Sequence, residues 1–590
     1  MTGHAFALAM VAVGVNGPED VGLDWDAIDW RVQEDNVRRL RQRIFKATRD
    51  GDLKKVRNLQ KLMLRSRANT LVSVRQVTQR NAGRKTAGID GEVALTSPAR
   101  AELATVLHAS SQPWQARPVK RVYIPKANGK LRGLGIPVIM DRCQQARVRN
   151  ALEPEWEARF EPRSYGFRPG RSCHDAIEAI FKAACGQKAR KLWALDADLT
   201  AAFDKIDHNH LLTMLDGFPG KGMIRAWLEA GVVEKGQFTS TEDGVPQGGV
   251  ISPLLLNVAL HGLEEAAGVR YYQTGNYAGQ TRPGSPTLVR YADDMLALCH
   301  SREQVEQVKA RLAEWLAPRG LAFNEDKTRI VHLDDGLDFL GFSIRRYSGK
   351  LLIKPSAAAV RRVRQRLRAE MRSLRGSNAA GVLRAINPIV RGWAAYYRGA
   401  VSTRVFSTLD AYMWRLTFRW ARHTHPNKSR WWVVDRYFGQ FNKSSQNRWV
   451  FGDRDSGLYL QKFSWTKIVR HVVVKGSASP DDPSLAQYWA DRRRRMTTPL
   501  GRRALRLLHQ QGGRCPFCGD FLLHADHQPR SPAEWEQWIR TTRKAMRKHY
   551  IALTGQRGDP DDNQLRLVHA HCLRRLSIAK ASRASTSDRP

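Results

Sequence analysis

The sequence is poor in acidic residues and in cysteine, and it contains no long apolar run. Its 590 residues include 56 aspartates and glutamates against 97 lysines and arginines, so the net charge is +41. A chain that basic repels itself unless it meets a polyanion, and we expect a nucleic acid as its partner. The odd number of cysteines, seven, argues against the disulfide framework of a secreted protein. No stretch approaches the roughly 18 apolar residues of a membrane helix, which predicts no membrane contact.

The first 20 residues contain only a short apolar run. This run lacks the basic leader and the small-residue cleavage pattern of a signal peptide. We therefore expect a cytoplasmic protein whose N-terminus is frayed or disordered. A hydrophobic content of 42% with 17 tryptophans excludes a disordered basic tail as the main feature. The length predicts several domains.

The spacing of apolar residues changes along the chain. Apolar residues recur at helical spacing between residues 25 and 80, around a turn at Asp50-Gly51-Asp52. Short β-rich runs alternate with helical segments from about 80 to 345, which predicts an α+β fold. After residues 348–350 we expect helix again, with one apolar stripe and an arginine-rich remainder. The stripe is Val360, Val363, Leu367, Met371 and Leu374. We expect the arginine face to meet a phosphate backbone rather than a membrane surface.

Two segments carry paired acids at the ends of apolar runs. Residues 288–298 read LVRYADDMLAL, a pattern typical of a β-hairpin with Asp293 and Asp294 at its tip. Adjacent acids in a turn often only stabilise the turn, because their carboxylates accept hydrogen bonds from nearby backbone amides. However, residues 191–199 read KLWALDADL, a second strand that ends in acids. Magnesium takes oxygen ligands, and two ions about 3.5–4 Å apart can activate a 3′-hydroxyl and stabilise a leaving pyrophosphate. Carboxylates from two strand ends could form such a site.

The order of motifs resembles that of reverse transcriptases encoded by group II introns, the maturase family. The resemblance extends from about residue 25 to the C-terminal module. Its motifs are NAGRKTAGIDG (81–91), YIPKANGKLRGLGIP (123–137), SYGFRPG (164–170), DLTAAFD (198–204), GVPQGG (244–249), YADD (291–294) and FLGF (339–342). It implies a right-hand polymerase fold with fingers, palm and helical thumb. Gly133 stands where the family commonly has proline.

The resemblance also implies roles for individual residues. Asp198 and Asp293 resemble the carboxylates that bridge two Mg²⁺ ions, and Asp294 is the second acid of its motif. Asp196 is the rival to Asp198, and we interpret it as a partner rather than a ligand. The expected contacts of the deoxynucleotide triphosphate are Lys126, Arg132, Phe203, Gln247 and Lys327. Among them, Phe203 resembles a steric gate against the ribose 2′-hydroxyl, and Lys126 and Arg132 resemble triphosphate clamps.

Downstream of the polymerase motifs, residues 387–397 (NPIVRGWAAYY) resemble the thumb and maturase signature. Aromatic residues among arginines suit RNA, although we expect most of these rings to be core, with Trp393 and Tyr396 able to pack on the palm. The resemblance implies that this region binds the parent intron RNA and promotes splicing, and that the protein also meets target DNA. The expected domains are 1–24 disordered, 25–345 fingers and palm, 346–440 thumb and maturase, 441–498 DNA-binding, 499–580 nuclease-like and 581–590 disordered.

The C-terminal module carries two pairs of metal ligands. Cys515 and Cys518 are separated by two residues, a spacing that lets both thiolates reach one tetrahedral Zn²⁺. His569 and Cys572, placed on one helix, would face the same side and complete four ligands. Redox-active cysteines are the alternative.

Residues 524–527 (HADH), between these pairs, resemble the HNH endonuclease motif of a small ββα-type module. By that resemblance Asp526 would bind the nuclease metal and His527 would act as the general base. Leu573 stands where the family has a further metal-binding histidine, and His571 substitutes poorly. The family asparagine aligns with Gln564, or with Asn563 after one insertion, and a long insertion covers 531–558. The alternative is therefore a degenerate module that binds DNA without cleaving it.

The sequence thus predicts an RNA-directed DNA polymerase that assists intron splicing and mobility, with a possible DNA endonuclease tail. One alternative is a splicing factor with an idle polymerase site and a tail used only for DNA binding. That alternative predicts damaged acids, whereas Asp198, Asp293 and Asp294 are all present. Another is a DNA-binding nuclease with a secondary polymerase, and the missing histidine at Leu573 weighs against it.

Overall fold

The computed structural model describes residues 23–494, apart from 111–112, 126–130, 187–188 and 443. Beyond residue 494 it describes 506–507, 510–511, 514–517, 522, 536, 539–540, 551–554, 566–569 and 572. The expected frayed terminus, except for residues 23 and 24, and the tail 581–590 lie outside these ranges. Within them, no helix has the length and apolarity needed to cross a membrane.

The N-terminal helical region forms as the apolar spacing predicts. It contains α1 (Trp30–Arg49), α2 (Leu53–Arg65) and α3 (Arg67–Arg75). The expected turn lies between α1 and α2, where Gly51 has a left-handed φ of +75° and Asp52 caps α2. The predicted apolar stripe is inside, because Val37, Ile44, Val56, Leu59 and Met63 are all buried.

The remaining elements follow in chain order. The helices are α4 (Ser97–Ala109), α5 (Ile139–Arg159), α6 (Cys173–Ala184), α7 (Ala202–Lys205), α8 (His208–Met214), α9 (Lys221–Glu229), α10 (Ser252–Ala259), α11 (Leu263–Ala266), α12 (Arg302–Leu316), α13 (Ala357–Ser373), α14 (Ala379–Tyr397), α15 (Thr403–Thr424), α16 (Arg430–Tyr437) and α17 (Ala486–Arg494). The strands are β1 (Val119–Pro125), β2 (Leu131–Ile136), β3 (Trp193–Ala197), β4 (Val232–Glu234), β5 (Gln237–Thr239), β6 (Thr287–Tyr291), β7 (Asp294–Cys299), β8 (Arg329–His332), β9 (Leu337–Phe339), β10 (Phe342–Tyr347), β11 (Lys350–Pro355), β12 (Phe438–Gly439), β13 (Val450–Phe451), β14 (Ile551–Thr554) and β15 (Arg566–His569).

Three sheets organise residues 119–355. One has the order β2-β1-β4-β5, and the central one has the order β6-β7-β3-β8. A third, with the order β11-β10-β9, leads into the C-terminal helices. The central sheet is antiparallel throughout, and its apolar residues lie in two large buried clusters. The α+β texture predicted for this region is confirmed.

The expected return to helix directly after residues 348–350 is wrong. Ser348 and Gly349 form the tight turn of a hairpin, both with positive φ, and the apolar run that follows pairs with β10 as β11. Helix resumes only at Ala357, and the expected domain limit between 345 and 346 falls inside β10. The stripe on α13 is as predicted, with Val363, Leu367 and Met371 buried and the arginines of the opposite face exposed.

Tyr396 of α14 packs on the expected palm, as the sequence predicts, whereas the ring of Trp393 packs on Tyr397, Phe406 and Phe463. Trp393 and Tyr396 are both buried. The Tyr396 hydroxyl lies 3.1 Å from the sulfur of Cys173, and the Tyr396 carbonyl lies 2.7 Å from Nε2 of His174, both at the start of α6. The thumb and palm therefore share one core.

Residues 469–494, which we call the strap, run back over the palm and the N-terminal helices. Its hub is the buried carboxylate of Asp175 on α6, which accepts hydrogen bonds from His471 Nε2 (2.9 Å), the Val474 amide (2.9 Å) and Arg492 (3.0 Å). Arg41 on α1 makes a two-pronged ion pair with Asp481 of the strap (2.9 and 2.7 Å). Arg492, the first of four consecutive arginines, is thus used within the fold.

Asp175→Asn should loosen the strap. Burial opposes ionisation of Asp175, but hydrogen bonds and the charges of His471 and Arg492 lower its pKa to about 2. Removing one partner of such a buried charged cluster costs about 3–5 kcal/mol, so we expect a clearly lower urea midpoint of unfolding. Burial lowers the pKa of His471 below its ordinary value, so Asp175 is ionised and His471 uncharged near neutral pH, and the deficit should stay constant between about pH 8 and pH 7.

The control is Asp216→Asn, because Asp216 pairs with Lys221 at the surface with 82% of its side chain exposed. Exposed pairs contribute little, so this variant should keep the midpoint of the parent protein. Equal midpoints for the two variants would contradict the role of Asp175 as a hub.

Candidate active site

Two of the predicted acids lie on one hairpin of the central sheet. β6 and β7 pair so that Tyr291 faces Asp294, and Ala292 and Asp293 form the two-residue turn between them. Asp293 is therefore at the tip, while Asp294 is the first residue of β7. Ala292 has a left-handed φ of +60°.

The third acid comes from the neighbouring strand. β3 pairs with β7 up to Ala197 opposite Met295. One further step in this register places Asp198 opposite Asp294, and residues so placed in an antiparallel pair have Cα atoms about 4.5–5.5 Å apart. The two acidic strand ends that the sequence singles out therefore meet at one edge of the sheet. Asp196 points to the same side as Asp198 by strand alternation.

The charges of these carboxylates oppose one another. Burial and the negative charges of Asp293, Asp198 and Asp196 together raise the pKa of Asp294 to about 7. Burial and the charge of Asp198 likewise raise the pKa of Asp293. A cluster of half-buried carboxylates that resists full ionisation is a donor set suited to a divalent cation, which would relieve the repulsion.

Fixed cations lie beside the acids. Lys327 donates a hydrogen bond to Asp198, and this bond raises the pKa of Lys327. Arg329 on β8 lies 3.4 Å from Asp196. The positive charge of Arg132 on β2 partly offsets the rise in the pKa of Asp293. We predicted no role for Arg329 from the sequence. A basic residue on the strand next to an acidic one indicates an ion pair across the two strands, and this pattern could have identified Arg329.

Phe203 and Gln247 belong to two segments that the fold joins. Phe203 is buried on α7, with its ring 6.2 Å from that of Phe167. The Gly244 amide donates to the Ile206 carbonyl just after α7 (2.8 Å). The Gln247 carbonyl accepts from the Gly135 amide on β2 (2.8 Å), so the glycine-rich loop links α7 to the β1–β2 hairpin.

One predicted contact, Lys126, lies outside the described residues. Arg132, Phe203, Gln247 and Lys327 are all described, and they lie on the elements that surround the acids. Two polar residues buried behind the turn, Arg290 and Asn257, have no predicted role. A charged residue within an otherwise apolar strand is the signal that singles out Arg290.

A second candidate site lies in the C-terminal module. Cys515 Sγ, a ring nitrogen of His569 and Cys572 Sγ all lie within 4.8 Å of one another, and all three residues are buried. In the described part of the chain, these residues form the one group of three or more potential metal ligands at such distances. Cys518, Asp526, His527, Asn563, Gln564, His571 and Leu573 lie outside the described residues.

The expectation that His569 and Cys572 share a helix is wrong. His569 is the last residue of β15, which pairs with β14, and Cys572 lies in helical conformation beyond it. A change from strand to helix, rather than the three-residue helical repeat, brings the two side chains together.

Three family models match successive parts of the chain. Residues 25–107 match the N-terminal domain of reverse transcriptase, and residues 124–344 match reverse transcriptase (RNA-dependent DNA polymerase). Residues 360–438 match the group II intron, maturase-specific domain. The central sheet and its acids lie in the second match, and α13 to α16 lie in the third.

Individual relatives cover the same region. Protein YkfC of Escherichia coli is 34% identical over 315 residues, which span 48% of this chain and 82% of that protein. The group II intron-encoded protein LtrA of Lactococcus lactis is 32% identical over 292 residues, 40% of this chain and 48% of that protein. Maturase-like protein 1 of Euglena gracilis is 26% identical over 372 residues, 61% of this chain and 74% of that protein.

Gly248→Ala should separate the glycine-rich loop from β2. Gly248 has a φ of +131°, and a Cβ atom there would lie 2.6 Å from the Gly135 carbonyl oxygen. We expect the hydrogen bond between the Gly135 amide and the Gln247 carbonyl to weaken, because alanine is strained at this φ and the contact is too close. Hydrogen–deuterium exchange should therefore accelerate in peptides covering 131–136.

Gly236→Ala is the matched control. Gly236 also has a positive φ, but a Cβ atom there would meet open space. Exchange over 131–136 should be unchanged in this control, and an unchanged rate in Gly248→Ala as well would show that the loop does not depend on this contact.

Proposed function

This chain belongs to the family of group II intron-encoded reverse transcriptases with a maturase domain, and from that premise we propose how its sites work. The chain is an RNA-directed DNA polymerase that also assists the splicing of its intron. The polymerase assignment rests on one observation: strand pairing brings Asp198 to the same sheet edge as Asp293 and Asp294.

The carboxylates of Asp198 and Asp293 are the proposed ligands of two Mg²⁺ ions, with Asp294 beside them. When bound, such ions activate the primer 3′-hydroxyl and stabilise the departing pyrophosphate. Their donor set is supported by the raised pKa values of Asp293 and Asp294, which record the repulsion that a divalent ion would remove. Asp196 has its own partner in Arg329, which favours it as a neighbour rather than a ligand.

The surrounding residues hold the incoming deoxynucleotide triphosphate. Phosphoryl transfer depends mainly on positioning and charge, so the cations at Lys327 and Arg132 are suited to the phosphates, with Lys126 assigned from the resemblance alone. Lys327 has 64% of its side chain exposed, so it can turn from Asp198 to a phosphate. Phe203 is buried on α7, which suits a gate against the ribose 2′-hydroxyl, and the loop that carries Gln247 is bonded to it through the Val245 amide and the Phe203 carbonyl.

A basic groove on the thumb supports nucleic-acid binding. The groove has a volume of about 660 Å³ and lies between the β10–β11 hairpin and α13 and α15. Lys354, Arg361, Arg364 and Arg368 line it, and none of the residues that line it is acidic. The three arginines span about 10 Å along one face of α13, enough to follow several phosphates. Arg364 is held over the ring of Tyr412, 4.6 Å from its centre.

The partners follow from this assignment. The proposed template and splicing partner is the parent intron RNA, and target DNA is the proposed substrate of mobility. The thumb and maturase region, with its arginine-rich face, is the proposed RNA-binding surface. Cleavage of target DNA by Asp526 and His527 stays a prediction from the sequence, and binding without cleavage stays its alternative.

We assign the C-terminal cluster to a structural Zn²⁺ ion. Cys515, His569 and Cys572 supply three ligands of types that tetrahedral zinc sites use, and Cys518 is the proposed fourth from its spacing. The ion would tie the segment at residue 515 to the end of β15.

Asp293→Ala should abolish primer extension on an RNA template. Losing one of the carboxylates that hold the ions should lower the rate by at least about 10³-fold, because the developing charge loses its stabilisation. The measurement is DNA synthesis with Mg²⁺ and deoxynucleotides, with thermal unfolding recorded in parallel. Asp335→Ala, which removes an exposed acid on the same domain, should keep the rate of the parent protein. If the parent protein and Asp293→Ala are equally inactive, the polymerase assignment is wrong.

The purified protein should contain one zinc ion per chain. Elemental analysis should show this ion lost in Cys515→Ser, because removing one thiolate from a four-ligand site strongly weakens binding. Cys185→Ser is the control, since Cys185 is exposed and lies in the palm. Full zinc content in Cys515→Ser would overturn the assignment.

A further inference from the structure

The turn that carries Asp293 is conformationally strained. Ala292 adopts a left-handed φ of +60°, and an L-residue with a Cβ atom disfavours this region by about 1–2 kcal/mol. Such a residue persists when its surroundings determine its conformation, and strain of this kind clusters at active sites. What holds Ala292 therefore decides where the carboxylate of Asp293 points.

The side chain of Arg290 lies directly behind this turn. It donates to the Ala292 carbonyl (3.2 Å) and to Asn257 Oδ1 (2.9 Å) through one nitrogen, and to Ser164 Oγ (2.7 Å) through the other. Arg290 is 2% exposed. Its backbone is also fixed, because its amide donates to the Arg163 carbonyl and its carbonyl accepts from the Tyr165 amide.

These contacts belong to a network of hydrogen bonds and close packing around the turn. Asn257 on α10 accepts from Arg290, and its Nδ2 donates to the Gly166 carbonyl (2.9 Å). Gly166 in turn packs so closely on the turn that a Cβ atom there would lie 2.1 Å from the Ala292 nitrogen. The turn is thus held from one side by the guanidinium of Arg290 and from the other by the backbone of Gly166, and Asn257 joins the two.

Arg290 carries a buried charge without a direct ion pair. Within the described part of the chain, no carboxylate lies at ion-pair distance from it; the charges of Glu161, Glu264 and Asp293 act on it from further away, and burial lowers its pKa to about 10. An unpaired buried charge is expensive, so it persists where its hydrogen bonds have a specific use. A planar guanidinium can hold a carbonyl, an amide and a hydroxyl at fixed angles, which the single ammonium of a lysine cannot do.

We propose that Arg290 is a positioning residue for DNA synthesis: through the Ala292 carbonyl it fixes the strained turn and so sets the place of the Asp293 carboxylate. The inference rests on the proposed polymerase function, because it is for that reaction that the place of Asp293 matters. Arg290 touches no reacting atom, and it acts only through the turn. Asn257 and Ser164 orient Arg290, and Gly166 provides the surface against which the turn is pressed.

The test compares Arg290→Lys with Arg147→Lys. Arg147 on α5 is a close match, because it too is buried, has its pKa lowered to about 10 by burial and donates to two carbonyls and a side-chain amide. Its carbonyl partners are Leu64 on α2 and Leu107 on α4 rather than the turn. Both lysine variants lose a buried guanidinium, so both should unfold at lower temperature.

Only Arg290→Lys should lose polymerase activity. A displacement of the turn by about 1 Å should lower kcat by about 10²-fold while the KM for deoxynucleotide changes by less than about threefold. Hydrogen–deuterium exchange should also accelerate in peptides covering 287–299, without Mg²⁺ or nucleotide present. Arg147→Lys should show neither effect. If Arg290→Lys keeps the kcat of Arg147→Lys, or if exchange over 287–299 is the same in both, the proposal is wrong.

Asn257→Ala serves if Arg290→Lys does not fold. This variant keeps Arg290 but removes the hydrogen bonds that Asn257 makes with Arg290 and with the Gly166 carbonyl. We expect about a tenfold lower kcat, with faster exchange over 287–299. A parent-like kcat and exchange in Asn257→Ala would overturn the proposal. Failure of the parent protein to extend a primer would instead refute the polymerase function, and the exchange measurements would still decide whether Arg290 holds the turn.

Discussion

The mutual repulsion of three carboxylates is the constraint on which the rest of this structure depends. Asp198, Asp293 and Asp294 are brought to one sheet edge by strand pairing, although burial and the neighbouring carboxylate charges raise the pKa values of Asp293 and Asp294 there. A sheet edge is rigid enough to impose this proximity, since each acid is attached to a hydrogen-bonded strand or its turn. Lys327, Arg329 and Arg132 offset part of the charge, and the remainder makes the edge a place for divalent ions.

Much of this site can be predicted from the sequence because its chemistry is local. Strand alternation and paired acids predict the β6–β7 hairpin, and a second acidic strand end predicts the partner of that hairpin. The buried frame behind the turn cannot be predicted in this way, because Arg290, Asn257 and Gly166 come from three separate segments whose meeting is tertiary. The same limit explains two wrong expectations. Helical spacing suits His569 and Cys572, yet a strand end brings them together, and an apolar run after residue 349 forms β11 because β10 is there to pair with it.

The segments around the polymerase core are joined to it by buried polar contacts. The strap ties α1 and α6 together through Arg41 and Asp175. Two C-terminal residues also reach the core, since Arg514 donates to Glu34 on α1 (2.8 Å) and Glu536 pairs with Arg366 on α13. Arg514 is next to the proposed zinc ligand Cys515.

The most direct measurement is anomalous diffraction from crystals of the protein with an RNA template, a DNA primer, a deoxynucleotide and Mn²⁺. Our account predicts two Mn²⁺ peaks about 3.5–4 Å apart, both in contact with the carboxylates of Asp198 and Asp293. Peaks held by Asp196 in place of Asp198, or no peak between the two strand ends, would contradict it.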